Sequence, residues 1–226
     1  MSRTTKRQTG GARKAPRAKA IQRRRNALMI RVGAVVLTAG ALLYTVPRLA
    51  GGSSSASGQI SYAVGAPGPG QTAPPVSLPS TTGGMFDLAG ALAKGPVLLY
   101  FQEGLTCQPC WDQLKVIQSD MPKYRAAGVS EIVSITSDPL NLITQKAHDE
   151  GLTMPVLSDP HLTVSTTYNA NRYGMMDGSR DGHTFVLVAS NGQILWRADY
   201  GGPPNYTMFV PDAQLLAHVT KALAGA

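Results

Sequence analysis

Along the first part of the chain, apolar positions form one almost unbroken run. From Ala27 to Val46, "ALMIRVGAVVLTAGALLYTV", the only charge is Arg31, close to the N-terminal end. At about 1.5 Å rise per residue, a helix of this length covers ~30 Å, the thickness of a bilayer's hydrocarbon core. The run therefore predicts a transmembrane helix, with Arg31 snorkelling back to the interface. From Gly51 to Pro75 the apolar residues lose their period among Gly, Ser, Ala and Pro, which predicts a tether.

After Val76 short apolar runs alternate with helical spacing. "PVLLYF" (Pro96 to Phe101) suits a buried strand, and from Pro109 the residues Trp111, Leu114, Ile117, Met121 and Tyr124 recur at helical spacing, with Pro122 expected to kink or interrupt that helix. "VSEIVSIT" (Val129 to Thr136) predicts a second strand. "SDP" (Ser137 to Pro139) opens another helix, with Asp138 expected as N-cap and Pro139 at the first helical position. "TFVLVASNGQILWRADY" predicts two strands around an Asn191-Gly192 turn. Pro211 to Leu223 places Leu215, Leu216, Val219 and Leu223 on one helical face. The succession is an α/β pattern. The organisation expected is a basic tail over 1–26, a transmembrane helix over 27–46, a linker over 47–75 and one domain over 76–226, with no internal repeat.

Charge sharpens this picture. Residues 1–50 carry 12 of the 21 Lys and Arg and no Asp or Glu, whereas from Val76 onward 9 Lys and Arg face all 13 Asp and Glu. The net charge of +8 therefore belongs to a tail. With no aromatic residue among its charges before Tyr44, the tail does not read as a nucleic-acid-binding arm. Beside an apolar run, the cluster Arg23 to Arg25 places the N-terminus in the cytoplasm and exports the rest. A cleaved secretory signal is the rival reading, but the basic region is long for one, so an uncleaved anchor is preferred.

The two cysteines of the chain stand in "YFQEGLTCQPCWDQL", directly after the first buried strand and at the start of a helix. Unpaired N–H groups and the positive end of the helix dipole stabilise a thiolate there. Cys107 is expected to be the more exposed, attacking thiol, and Cys110, one turn in, to resolve the mixed disulfide. A purely structural disulfide constrains little when it closes so short a span. Zinc would need a second pair of ligands nearby.

These residues resemble the thioredoxin-fold redoxins, which include extracytoplasmic thiol–disulfide oxidoreductases and the alkyl hydroperoxide reductase/peroxiredoxin family. "APPVSLPSTTGGMFDLAGALAKGPVLLYF" is similar to the family's lead-in hairpin, "TMPVLSDPHLTVSTTYN" to its middle segment and "TFVLVASNGQILW" to its final hairpin. The resemblance implies a thioredoxin-like fold over about 73–226, a central mixed sheet flanked by helices, and an antioxidant or thiol-exchange activity carried by CQPC. It calls for no cofactor; protein thiols or disulfides and a redox partner are the implied partners. Where thioredoxins place a cis-proline and peroxiredoxins an arginine, this chain has Gly182-His183 before Thr184, with Arg180 nearby. Aligned on Cys110, the peroxiredoxin Pro and Thr positions are Glu103 and Cys107, which favours dithiol–disulfide exchange over peroxide reduction.

The resemblance extends to copper-delivering relatives, so Cys107, Cys110 and His183 form an alternative Cu(I) ligand set. Their CxxxC spacing differs from CxxC, and His183 as a packing neighbour or modulator of thiol pKa is preferred. Pro109, Trp111 and Thr184 are expected to border the site. Glu103 offers a buried proton acceptor, although a solvated loop carboxylate is the simpler expectation. Trp196 reads as a packing aromatic, and Met175, Met176 and Met208 as ordinary core methionines.

Overall fold

In the computed structural model, which describes residues 58–226, the apolar run after Pro96 becomes the central strand of the sheet. Two short strands, β1 (Ser77–Pro79) and β2 (Met85–Asp87), form an antiparallel hairpin, followed by helix α1 (Leu88–Leu92) and β3 (Val97–Phe101). Then come α2 (Gln108–Ser119), α3 (Met121–Ala127), β4 (Glu131–Thr136), α4 (Leu140–Asp149), β5 (Val156–Ser158) and α5 (Thr163–Thr167). The chain closes with β6 (Thr184–Val188), β7 (Ile194–Asp199) and α6 (Asp212–Ala224).

The main sheet is mixed, in the order β5-β4-β3-β6-β7. β4 runs parallel to both β3 and β5, while β6 is antiparallel to both β3 and β7. Every residue of β3 is buried because both faces of the sheet are covered. Leu98 and Tyr100 point into a layer with Trp111, Leu114 and Ile117 of α2 and Leu215 and Val219 of α6. Val97, Leu99 and Phe101 point into the opposite layer, with Phe86, Leu88 and Tyr168. A period of two thus serves two cores.

Most predicted elements are present, with informative differences. The helical run is interrupted at Pro122 as expected: the break falls at Asp120, and Pro122 lies in the first turn of α3, where its missing N–H leaves no bond unmade. Gly192 adopts φ 82°, as the turn between β6 and β7 requires. Asp138 is not the cap of α4. Pro139 occupies that position without a side-chain bond, because the Asp138 carboxylate is drawn into the loop before Cys107.

The tether expectation fails from Gly58 onward. Residues 58–73 lie along β7 and α6: Ala63 and Asp199 exchange backbone hydrogen bonds, Gly70 N–H donates to Ile194, and Ile194 N–H donates to Gln71. Tyr62 packs edge-on against Trp196, Tyr200 and His218. The buried Arg197–Asp199 pair fastens the same strap, since Asp199 accepts from Gly65 N–H and Arg197 donates to the Pro67 carbonyl. The basic tail and the transmembrane helix expected over 27–46 lie outside the described residues. Among the described residues no helix is long and apolar enough to cross a membrane.

Candidate active site

Leaving the end of β3, the chain must turn sharply to start α2, and Gly104 makes that turn at φ +85°. A Cβ there would overlap the Asp138 carboxylate and the Thr136 hydroxyl. Asp138 holds the loop in place: its Oδ2 accepts from Leu105 N–H at 2.7 Å and from the Thr136 hydroxyl at 3.1 Å. Arg180 completes the brace, its Nη1 donating to Asp138 Oδ1 at 2.8 Å and to the Glu103 carbonyl at 3.0 Å.

This brace delivers Cys107 to the N-cap of α2, with Pro109 in the first helical turn. Cys107 and Cys110 are joined as a disulfide, their Cα atoms 5.3 Å apart. Cys107 is 6% exposed and Cys110 fully buried, so any partner must meet Cys107 first. Trp111 is buried behind the pair, its indole N–H donating to the Gly104 carbonyl at 3.0 Å. Gln108 is fastened from outside the helix, since its amide donates to Glu150 and accepts from Lys146, both at the end of α4. Hydrogen bonds from Lys115, Lys146 and Gln108 pull Glu150 down to about 2, keeping that clamp charged.

Glu103 is buried, contrary to the solvated carboxylate expected; its Oε1 accepts from Met175 N–H at 2.7 Å. His183 is also buried, and Thr184 beside it donates its hydroxyl to Asp199. His183 Nδ1 and the Tyr100 hydroxyl share a hydrogen bond of 2.9 Å within a cage of Tyr100, Phe185 and Tyr200 rings. Its Nε2 has no hydrogen-bond partner among the described residues. Burial, followed by the Glu103 charge, pushes the Tyr100 hydroxyl up, so it stays protonated. No group of three His, Cys, Asp or Glu side chains capable of holding a metal ion is present among the described residues. With Cys107 and Cys110 bonded to each other, the alternative copper set of Cys107, Cys110 and His183 has no free thiolate to offer in this oxidised state.

Burial lowers the pKa of His183 from 6.5 to about 3. Between these values the unfolded chain binds a proton that the folded chain refuses, so stability falls as pH drops through that window, at about 1.4 kcal/mol per pH unit. His183→Gln, which can still bond the Tyr100 hydroxyl, is expected to flatten this acid limb. Urea unfolding of both proteins across that range measures it, and parallel curves would contradict the assignment.

Residues 69–197 match the AhpC/TSA family, more than half of the chain. The chain belongs to this family. A Mycobacterium tuberculosis protein described as a peroxiredoxin is 29% identical over 102 residues, 45% of this chain and 64% of that protein, so just under two thirds of the relative's length is matched. Among solved structures, Peroxidoxin BcpB from Mycobacterium tuberculosis superposes with a TM-score of 0.57 at 21% identity, covering 70% of this chain and 97% of that one. Enterococcus faecalis AhpC superposes with a TM-score of 0.58 at 12% identity, covering 68% and 91%. These likenesses establish the thioredoxin-like peroxiredoxin fold.

Within this AhpC/TSA chain, sequence reasoning had placed Cys107, Cys110 and Trp111 correctly relative to β3 and α2. It gave Asp138 to a helix cap rather than to the cysteine loop, did not pair it with Arg180, and treated Met208 as an ordinary core residue. Met208 instead forms one small buried cluster with the two cysteines. No periodic signal points to it.

Proposed function

We propose that the protein is a membrane-tethered, extracytoplasmic thiol–disulfide oxidoreductase working through Cys107 and Cys110. The observation that carries this reading is the CQPC pair bonded at a helix N-cap, with Cys107 the outer, slightly exposed residue and Cys110 fully enclosed behind it. In the reducing direction, the Cys107 thiolate attacks one sulfur of a partner disulfide and the other sulfur leaves as a thiolate that takes up a proton. Cys110, deprotonated, then attacks Cys107 and releases the second partner thiol. The partner disulfide gains two electrons, CQPC becomes the disulfide, and an external dithiol must re-reduce it. The basic tail and the apolar run over 27–46 support an anchor with this domain outside.

Peroxide reduction is the second reading, favoured by family membership and by the relative described as a peroxiredoxin. One experiment addresses both readings and the anchor. Carbonate-washed membranes carrying the full chain are expected to reduce insulin disulfides with an external dithiol as donor, and to consume hydrogen peroxide far more slowly. Activity released into the wash would remove the anchor. Faster peroxide turnover with no disulfide reduction would replace the exchange reading with the peroxidase.

A further inference from the structure

Met208 lies in the loop between β7 and α6, is 8% exposed, and with Cys107 and Cys110 forms a separate apolar cluster of three sulfur-bearing side chains. The backbone on either side of it is pinned. Thr207 N–H donates to the Tyr200 carbonyl at 2.9 Å, and Val210 N–H donates at 2.7 Å to Oε1 of Gln113, a buried residue of α2 itself. The loop is thus fastened to the helix that carries the cysteines. Phe209, the next residue, is 39% exposed.

Pinned backbone and mobile side chain have different consequences. An incoming disulfide must approach Cys107 in line with the bond that will break, which demands an open cone at a sulfur whose residue is 6% exposed. A loop fixed at both ends does not swing away to supply it. Methionine is unbranched and turns about three bonds, so its thioether can vacate the space while Thr207 and Val210 stay in place.

We propose that Met208 is a specificity-determining gate over Cys107, passing small reactants with its side chain at rest and requiring it to rotate away for bulky protein disulfides. The proposal rests on the exchange reading for its biological substrate, but the gate itself is measurable without turnover.

In the Cys110→Ser background only Cys107 can react. The full chain in this background, with Met208 or with Met208→Ala, is alkylated with iodoacetamide and with a maleimide carrying a polyethylene glycol chain. Removing the side chain is expected to speed the bulky reagent by about 10-fold and the small one by less than about 2-fold, because relief of a steric block grows with reagent size. Met208→Leu keeps most of the volume with less freedom and is expected to slow the bulky reagent. Equal acceleration of both reagents by Met208→Ala would reveal a change in thiol pKa or in folding and would overturn the gate. So would rates unchanged in both variants. If the size dependence appears but wild-type CQPC reduces no disulfide, the exchange reading fails and the gate stands.

Discussion

Replacing Cys107 with serine is expected to abolish disulfide exchange, lowering turnover by roughly 10³-fold or more, because an unactivated hydroxyl near neutral pH offers no comparable nucleophile. Cys110→Ser is expected to lose turnover as well, but with a different trace: a mixed disulfide that cannot be resolved. Cys107 is the outer residue of the pair and N-cap of α2, whereas Cys110 is fully enclosed. Non-reducing electrophoresis of whole cells expressing each variant should therefore show adducts with Cys110→Ser and few or none with Cys107→Ser. Adducts confined to Cys107→Ser would make Cys110 the attacking thiol and move the chemistry toward the peroxiredoxin use of that position.

The second large effect is structural. Gly182→Ala is expected to destabilise the domain by about 3 kcal/mol or more, since backbone cannot yield as a flexible side chain can. A Cβ at Gly182 would overlap the carbonyl of Tyr173, and a Cβ at Gly201 would press on the same atom. The segment Tyr173–Gly174 is laid across the start of β6 and the end of β7, with His183 N–H donating to the Tyr173 carbonyl. Gly174 itself passes so close to Glu103 that a Cβ would lie 2.9 Å from its Oε1. Urea unfolding gives the loss of stability. An Ala variant as stable as the parent would mean that these backbones do not pack as described.

How much of this was legible in the sequence depended on the range over which each signal acts. The strands and α2 were readable because apolar spacing is local and both faces of β3 are filled. The fate of Asp138 was not. "SDP" is a fair helix cap by itself, but the carboxylate is taken by Leu105 N–H and by Arg180, 42 residues further on. Glu103 looked solvated because its partner, Met175 N–H, lies 72 residues away. Residues 58–73 read as tether because they bind mainly through backbone, and backbone hydrogen bonds leave no hydrophobic period behind. CQPC was legible as chemistry, whereas the methionine packed with it belongs to a loop whose composition says nothing of its neighbours.

The strap formed by residues 58–73 has a consequence for self-association. β7 is one of the two edge strands of the sheet, and an open edge is a template on which another chain can build. Here its two ends are already satisfied from within, through Gly70, Gln71 and Ala73 at one end and Ala63 at the other. A second copy could not splice its own sheet onto this border without first peeling the strap away, and with it the bonds to Arg197 and Asp199. The segment therefore serves as a selvedge: it finishes the fabric on that side and directs any pairing of copies to other faces of the molecule.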